Sequence, residues 1–439
     1  MIFYSGKSKE TLSYFKEVFT GKLNHIENTM IISEYKMWIY INYFLPSIRF
    51  LLTVHDITAT DLKKLDAICH RYIKKWSGVA RSGTNLVFHM SQGLGIHTIK
   101  SLYEETHALN HNAMRLKGDE TVNAALDNAI SREAQFVKKG SSVVRAEETH
   151  LKAMATEKST NVAIKNSVKK IVHKNTLEQS TKHLNTLCKQ GEFLKLSMQE
   201  QQDPTWKAFI WNLKKGTAKF LLNSTIHTLP TQNNLKLWNK SMSDRCHLCK
   251  NRDSTLHTLS GCKVALDQKR YTYRHDNIIK YIVDCIDKNK FKVHSDIDGH
   301  TTQNGGTIPA HMTVTDLKPD ITITDEAKKT VHIVELTVPF ESNIKVRNTE
   351  KTNKYSHFIT DITSHNVFLT AFEVGARGFL STENTNRLKE IHKHYCLKTV
   401  NQSKFLHNIS ALAITGSYYI YTARKQPTWS TPGFLSPLF

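Results

Sequence analysis

The hydrophobic positions in the first quarter of the chain repeat with the period of an α-helix. Between residues 62 and 76 the apolar side chains share one helical face, and Thr60-Asp61 ahead of them can cap its start. The members of this face are Leu62, Leu65, Ile68, Cys69, Tyr72, Ile73 and Trp76. Gly78 is predicted to end the helix, and the glycines of Gly93-Leu94-Gly95-Ile96 suit a turn with positive φ. Residues 1–125 are therefore predicted to form a helical packing unit without chemistry of its own.

The middle of the chain changes from polar to aromatic. Residues 126–200 are rich in lysine and poor in aromatic residues, which predicts long exposed helices or a mobile connector. A solvated surface is the simpler interpretation of these lysines, and a nucleic-acid track is the alternative. Aromatic residues then return and predict a helical linker over 201–245. They are Trp206, Phe209, Trp211 and Phe220.

Beyond residue 263 the pattern alternates between helices and strands. This alternation predicts an α/β or α+β domain over 263–425, followed by a tail at 426–439. Within the domain, the β-rich runs 321–324 and 330–338 predict a hairpin that folds about residues 327–328. That register would place Asp320 directly opposite Glu335.

A helix is predicted after the hairpin, over residues 342–362. Its apolar stripe consists of Ile344, Tyr355, Phe358 and Ile362. At about 100° per residue, Lys351 falls in the middle of this stripe, whereas Lys354 lies on its flank. Burial of an ammonium group is costly unless the group reaches solvent or does chemistry, so we favour Lys351 as the functional lysine.

Four potential zinc ligands stand between the linker and the α/β domain. Cys246, Cys249, His257 and Cys262 form the pattern C-x2-C-x7-H-x4-C. Zinc takes four soft or borderline ligands in a tetrahedron, so the pattern predicts a zinc knuckle over 246–262. His247 lies inside the tight C-x2-C turn and is left out of the ligand set. Three buried thiols and a surface histidine are the alternative.

The charge balance points to a partner with dense negative charge. Lys and Arg number 60 against 39 Asp and Glu, which leaves a net charge of +21. Such a surplus favours nucleic acid, because each phosphate contact releases counterions. A merely soluble basic protein is the alternative interpretation.

The cysteine content and the apolar stretches also indicate in which cellular compartment the protein is expected. Seven cysteines, of which four stand alone, are too few for a disulfide scaffold and indicate a reducing compartment. The longest apolar stretch, residues 40–54, is interrupted by polar residues, so no membrane segment is predicted. The N-terminus lacks the charged-then-apolar layout of a secretion signal.

Two facing carboxylates on adjacent strands repel each other unless a cation lies between them. Magnesium accepts hard oxygen ligands and keeps several waters, so Asp320 and Glu335 are predicted to share Mg²⁺, or Mn²⁺ in its place. The alternative is a surface hairpin with incidental acidic residues.

The residues around the hairpin resemble the restriction-like nucleases, whose signature is Pro-Asp, a spacer and then Asp/Glu-x-Lys. Pro319-Asp320 is followed by Glu335-Leu336-Thr337, so a threonine stands where that signature has lysine. In the endonuclease of site-specific non-LTR retrotransposons the lysine comes from a downstream Lys-x-x-Lys-Tyr, which resembles the segment 351–355. The segment 335–341, ELTVPFE, also looks like that family.

The resemblance to the C-terminal part of a non-LTR retrotransposon reverse transcriptase protein extends over most of the chain. A zinc knuckle ahead of the nuclease is similar to the layout of that family. Leu45-Pro46-Ser47 and the segment 93–96 resemble the helical thumb that follows a polymerase palm. Further similar positions are Arg274-His275, Gly375, Gly378 and Gly416-Ser417.

The resemblance implies a fold class and an activity. The fold class is multidomain, with a mostly α-helical N-terminal half, a small zinc knuckle and an α/β restriction-endonuclease-like domain. The activity is metal-dependent nicking of one strand of duplex target DNA in the nucleus, after synthesis in the cytoplasm. The freed 3′ hydroxyl then primes reverse transcription of the element RNA. Asp320 and Glu335 would hold Mg²⁺ or Mn²⁺, Lys351 would act at the scissile phosphate, and Lys354 or Arg274 could hold a neighbouring phosphate.

One expected motif is absent from the sequence. No Tyr-x-Asp-Asp loop occurs, so the chain is not expected to polymerise nucleotides by itself. A catalytically inactive fragment that serves only as a zinc-dependent nucleic-acid-binding module is the alternative function. A fossil reading frame without a selected role is a third possibility, against which the intact acidic pair, lysine motif and zinc ligands speak.

Overall fold

The structure is a computed structural model of the 439-residue chain. It describes residues 8–55, 57–116, 119–124, 161–201, 203–313, 315–356 and 362–439. The backbone divides into two compact units, Met1–Gly191 (unit 1) and Glu192–Phe439 (unit 2). Of the predicted connector 126–200, residues 126–160 lie outside the described part of the chain.

Unit 1 is built of helices where the structure describes it. The helices are Ser8–Asn28 (α1), Ser33–Ile39 (α2), Leu45–Val54 (α3), Ala59–Ser77 (α4), Leu86–His89 (α5), Ile99–Leu116 (α6) and Asn161–Thr186 (α7). The long helix α7 falls within the predicted polar connector. It is not wholly exposed, because Val168 and Val172 pack against Ala108 of α6.

The helix predicted from the apolar repeat is α4, and the predicted face is its buried face. Six of the seven apolar side chains are buried and Tyr72 is half-buried. The predicted cap was wrong by two residues: the Thr58 hydroxyl accepts the Asp61 N–H at 3.2 Å, and the helix begins at Ala59. Gly78 ends the helix in the left-handed conformation, with φ +67°, as predicted.

The two glycines of the following turn are required for different reasons. Gly95 has a φ of +67°, as predicted. Gly93 does not have a positive φ, so that part of the prediction was wrong. A Cβ on Gly93 would lie 2.1 Å from the carbonyl oxygen of Val87, so close backbone approach excludes a side chain there.

The polar residues in the apolar stretch of unit 1 do not interrupt its helix. A five-residue π-helical turn, Tyr40–Phe44, joins α2 to α3, and Pro46 lies in the first turn of α3, where proline is tolerated. Ser33–Val54 is thus the one helical stretch of the described chain long and apolar enough to cross a membrane, with 33% of its most apolar window buried. Core helices of soluble proteins have the same length and composition.

Unit 2 contains helices and a small sheet. Its helices are Glu192–Gln199 (α8), Lys215–Thr225 (α9), Gln232–Leu237 (α10), Lys263–Asp267 (α11), Arg270–Cys285 (α12), Ile344–Ser356 (α13), Thr382–Tyr395 (α14) and Gln402–Thr422 (α15). Its strands are Lys292–Ser295 (β1), Ile321–Asp325 (β2), Thr330–Thr337 (β3) and Asn366–Glu373 (β4).

The sheet is mixed, with the strand order β1-β2-β3-β4. Strands β1, β2 and β3 are antiparallel neighbours, and β4 returns parallel to β3 after α13. In the β2–β3 hairpin Ile321 pairs with Val334 and Asp325 pairs with Thr330. The predicted hairpin centre is therefore confirmed, and the same register places Asp320 opposite Glu335.

The helix predicted over 342–362 is shorter in the structure. One 3-10 turn, Glu341–Asn343, leads into α13, which is described over Ile344–Ser356. The predicted stripe residue Phe358 lies outside the described residues, and Ile362 follows in non-helical conformation. Tyr355 and Ile362 still share a small core with Ile333 of β3.

The main core of unit 2 covers one face of the sheet. Ile278 and Ile282 of α12 and Ile409 of α15 pack there against apolar side chains of β2, β3 and β4. The smaller core around Tyr355 contains Val331 and Ile333 of β3. Asp320 and Glu335 lie at the end of the β2–β3 pair where β2 begins and β3 ends.

Residues 427–439, which we call the strap, run in extended form along α12 and α15. The Asn277 side chain accepts the Leu435 N–H at 2.6 Å. Asn408 accepts the N–H groups of Leu438 and Phe439 at 2.9 and 3.1 Å. The segment predicted as a tail is therefore attached to both helices.

A pair of histidines links α4 to α5 inside unit 1. His70 Nε2 lies 2.7 Å from His89 Nε2, and His89 Nδ1 lies 2.7 Å from the Ile96 carbonyl oxygen. Because that carbonyl only accepts, His89 must donate from Nδ1 and accept at Nε2, so His70 Nε2 is the donor. The Asn85 amide, 3.1 Å from His70 Nδ1, then donates to it. Both rings are neutral in this arrangement.

We expect this pair to make α4 sensitive to acid. Burial lowers the pKa of His70 to about 3 and that of His89 to about 4, and the neighbouring charges of Lys74 and His97 act in the same direction. Groups with a depressed folded pKa contribute stability above the unfolded value of about 6.5 and lose it as pH falls towards the folded value. Hydrogen exchange of α4 amides, corrected for intrinsic rates, should report a loss on the order of 2 kcal/mol for each of the two histidines at about pH 5.

The double variant His70→Gln/His89→Gln should lose this pH-dependent component. His25→Gln, at an exposed position of α1, is the matched control and should keep it. An opening free energy of α4 that does not change with pH in the wild type would contradict the interpretation.

Candidate functional site

The four predicted zinc ligands converge in unit 2. Their ligand atoms all lie within 4.8 Å of one another. The Sγ atoms of Cys246 and Cys262 are 4.0 Å apart, and Cys249 Sγ lies 3.2 Å from His257 Nε2. Three of the four residues are buried and Cys249 is half-buried. Three thiols and one imidazole at these separations are a donor set that could hold one zinc ion.

Local backbone geometry explains how the first two cysteines face the same point. Arg245 and Arg252 form an antiparallel bridge around the C-x2-C turn, and the Cys246 N–H donates to the Asn251 carbonyl at 2.7 Å. Lys250 turns the chain with a φ of +63°. The Leu248 N–H points at Cys246 Sγ over 3.4 Å, the contact that stabilises a thiolate.

The other two ligands are held by buried hydrogen bonds. Asp253 accepts the Gln232 N–H at 2.7 Å and the Thr258 hydroxyl at 2.8 Å, which anchors the turn that carries His257. The Tyr271 hydroxyl accepts the Cys262 N–H at 3.0 Å. These contacts form a second layer around the ligands, as orienting groups do in metal sites.

His247 is outside the ligand cluster, as predicted. Its Nε2 lies 2.6 Å from the Gln232 side-chain nitrogen, and it is not among the residues whose ligand atoms converge. His257 is buried and all four members converge, so three buried thiols and a surface histidine do not describe this cluster.

A second cluster lies at the open end of the β2–β3 hairpin, opposite its turn. Lys351 of α13 places its Nζ 2.5 Å from Glu335 Oε2 and 3.6 Å from Asp320 Oδ2. The Glu335 side chain has no exposed surface, and 25% of the Lys351 side chain is exposed. The crossover between β3 and β4 therefore brings a lysine to the facing acidic pair, because α13 packs across the sheet there.

The backbone holds both carboxylates in place. The Leu336 N–H donates to Asp320 Oδ2 at 2.7 Å, and the Asp320 N–H donates to Glu335 Oε1 at 3.1 Å. Two carboxylates anchored this closely are the hard oxygen donors that a divalent cation prefers. The residues present therefore fit the predicted cation by donor chemistry.

His275 of α12 is a further member of this cluster. Its Nε2 lies 3.3 Å from Asp320 Oδ2, and its Nδ1 lies 3.0 Å from Asp276 Oδ1. In the sequence, Arg274-His275 is only a point of similarity, and no role was predicted for the histidine. The helical period of α12 alone does not show it, because the contact depends on how α12 packs beside β2.

The charges in the cluster are coupled. Burial raises the pKa of Glu335 to about 7, the Asp320 charge adds to the rise, and Lys351 opposes it. Burial alone would raise the pKa of Asp320, but His275 first, and then Lys351, hold it well below its usual range. Burial alone would lower the pKa of His275, but the Asp320 charge raises it to about 10. Glu335 is thus the carboxylate whose charge depends most on a nearby cation.

Lys354 lies apart from the carboxylates. Its Nζ is 3.3 Å from the Tyr355 hydroxyl, which itself donates to the Lys318 carbonyl at 3.3 Å. The residue is exposed, in agreement with its predicted place on the flank of the helix.

Arg274 has a structural position, so its prediction as a phosphate ligand was wrong. It is buried, and its guanidinium donates to the carbonyls of Leu259 and Val338 at 3.0 and 2.7 Å and to the Ser417 hydroxyl at 2.8 Å. All three acceptors lie within the protein. The guanidinium therefore joins the backbone that follows β3 to the segment with Leu259 and to α15.

A buried ion pair supports the same stretch of chain. Arg377 donates from its backbone N–H and its Nε to the two oxygens of Glu341, at 2.6 and 2.7 Å. Both side chains are fully buried, and Phe340 lies under the guanidinium. A Cβ on Gly375 would lie 2.6 Å from Glu341, so the glycine leaves room for the carboxylate.

A cleft of 340 Å³ opens beside the second cluster. Asp320 and His275 line it, together with Asp276 and Asp296. The cleft gives the cluster access to solvent on the Asp320 side. Glu335 is not among the residues that line the cleft and is fully buried.

The structure thus brings Asp320, Glu335 and Lys351 together and leaves Lys354 and Arg274 outside. The four predicted zinc ligands form the separate cluster. No protein-family model and no curated protein sequence match this chain. The functional interpretation therefore depends on the geometry of these two clusters and on the charge of the chain.

We expect the freshly purified protein to contain about one zinc per chain. Cys249→Ser should remove the zinc and increase hydrogen exchange across residues 245–262, since the turn would lose its metal cross-link. Elemental analysis measures the zinc. Cys188→Ser is the matched control, because Cys188 is exposed and lies outside the cluster. Zinc-free wild-type protein would contradict the assignment.

Proposed function

We propose that this chain is the metal-dependent DNA endonuclease portion of a non-LTR retrotransposon protein. The observation that carries the proposal is the buried acidic pair Asp320 and Glu335, with Lys351 delivered to it by the crossover helix. This arrangement matches the resemblance noted in the sequence, in which the lysine comes from a downstream segment in place of Thr337.

The chemistry of the cluster supports phosphodiester hydrolysis. Asp320 and Glu335 would hold Mg²⁺ or Mn²⁺, which when bound lowers the pKa of a water and neutralises charge on a phosphate. Lys351 would stabilise the charge that develops on the phosphate oxygens. His275 would position Asp320, since it contacts the oxygen that the backbone also holds.

The partners follow from the charge of the chain and from the resemblance. The net charge of +21 favours duplex target DNA and element RNA, held through their phosphates. The proposed place of action is the nucleus, and the domain that carries the cleft would have the restriction-endonuclease-like fold. The zinc knuckle would act as a staple of unit 2, because its second layer of hydrogen bonds continues into α10 and α12.

A binding module without catalysis is the second candidate. It is favoured by one observation: the zinc cluster and the basic surplus do not depend on Asp320 or Glu335. In that case Lys351 would be a purely structural counterion. A measurement of DNA cleavage distinguishes the endonuclease from the binding module.

We expect the protein to nick supercoiled plasmid DNA in the presence of Mg²⁺ or Mn²⁺ and to lose this activity in EDTA. Asp320→Ala and Glu335→Ala should abolish nicking, because each removes half of the cation site. Lys351→Ala should reduce the rate by about a hundred- to a thousandfold, the scale for loss of one charge-stabilising donor. Lys354→Ala should reduce it less.

Glu326→Gln is the matched control, since Glu326 is an acidic residue in the turn of the same hairpin. It should nick at the wild-type rate. If Lys354→Ala is inactive while Lys351→Ala is active, the assignment of the lysine is wrong. If the wild type fails to nick DNA with every divalent metal tested, at any metal concentration, the binding module is the better description.

Binding to nucleic acid should be tight, weakly selective for sequence and steeply dependent on salt. Released counterions give a linear fall of log K with log salt, with a slope of about −0.9 per phosphate contact on duplex DNA. Fluorescence anisotropy across a salt series measures this slope. Asp320→Asn should bind at least as well as the wild type, because it removes a negative charge. An affinity independent of salt would contradict the electrostatic account.

A further inference from the structure

Lys351 contacts both of the carboxylates that would hold the cation. Its Nζ lies 2.5 Å from Glu335 Oε2 and 3.6 Å from Asp320 Oδ2. A divalent ion held by Asp320 and Glu335 would be bound by the same negative charge that the ammonium group now neutralises. Two positive groups within a few ångströms of each other repel strongly in a partly buried site. The ammonium group and the ion would therefore compete for the negative charge of the pair.

The carboxylates keep their places without the lysine. Asp320 is held by the Leu336 N–H at 2.7 Å and by His275 at 3.3 Å. Glu335 is held by the Asp320 N–H at 3.1 Å. Two of these three donors belong to the backbone of the hairpin, so they do not move when a side chain of α13 moves.

The lysine can leave by side-chain rotation alone. A quarter of its side chain, 25%, is exposed, and a lysine stem has four rotatable bonds. Val346 on the same helix is 58% exposed, which shows that α13 borders solvent. Lys354 does not replace it, since the Nζ of Lys354 faces the Tyr355 hydroxyl.

We propose that Lys351 is a resident counterion of the Asp320–Glu335 pair that a divalent cation displaces. This inference rests on the proposed function, because it takes the metal site of that function as given. It adds that the lysine sets the affinity of the site for metal. Displacement would free the ammonium group for an incoming phosphate only when the cation is bound, so that charge stabilisation and metal loading are coupled.

The test is Mn²⁺ binding to the full zinc-loaded chain, measured from the electron paramagnetic resonance signal of free Mn²⁺. Lys351→Met should bind Mn²⁺ about tenfold more tightly than the wild type or better, because its competitor is gone. Lys354→Met removes the same charge from the same helix but not from the carboxylates. It should change the affinity by less than about threefold, the scale of an exposed charge.

Equal tightening in both lysine variants, or none in Lys351→Met, would overturn the displacement proposal. The double variant Asp320→Asn/Glu335→Gln distinguishes failure of the displacement proposal from failure of the proposed function. If it binds Mn²⁺ as well as the wild type does, the cation site itself is wrong, whatever the lysine variants do.

A second readout uses the wild-type protein and does not depend on how a variant folds. Acetylation of lysines by a small reagent, followed by mass spectrometry, reports the accessibility of each Nζ. Saturating Ca²⁺ should increase modification of Lys351 severalfold and leave Lys354 unchanged. An unchanged or lower modification of Lys351, under conditions in which Ca²⁺ binds, would also overturn the proposal.

Discussion

The second cluster depends on one requirement: the buried carboxylate of Glu335 needs partners that compensate its charge. Its side chain has no exposed surface, and an ionised carboxylate without compensation inside a protein costs several kcal/mol. The Asp320 N–H and the Lys351 ammonium supply that compensation. The first comes from the register of the hairpin and the second from the crossover helix. A slip of one residue in the β2–β3 pairing would turn Glu335 to the other face and separate it from both.

Two buried arginines hold in place the backbone segment that connects Glu335 to Lys351. Arg274 holds the Val338 carbonyl just after β3, and Arg377 holds Glu341 just before α13. The chain between the acidic pair and its lysine is therefore tied down on both sides. Loss of either guanidinium would leave buried acceptors without partners, at about 1–3 kcal/mol for each. Gly416 belongs to the same structure, because a Cβ there would lie 2.9 Å from the Arg274 side chain.

Local patterns predicted the hairpin and the lysine well. The period of two in the strands and a short turn determine the register, and the helical period places Lys351 rather than Lys354 towards Glu335. The convergence of the four predicted zinc ligands followed from spacing alone, since all four come from one short segment. The burial of Arg274 was not predictable in this way. An arginine in a basic chain suggests a phosphate contact, and only the packing of distant segments around it shows that its two terminal nitrogens already have acceptors. The contact of His275 with Asp320 likewise depends on tertiary packing, because α12 and β2 are far apart in sequence.

The strap and α15 also bear on the order in which unit 2 can form during synthesis. Phe405, Ile409 and Leu412 of α15 belong to the main core, and the strap satisfies Asn277 and Asn408 across two helices. These residues leave the ribosome after every other element of unit 2. The sheet and the acidic pair must therefore wait, with one apolar face uncovered, until the last helix has emerged. Unit 1 precedes these residues in the chain, so translation itself would separate the two units in time, with the helical unit emerging first.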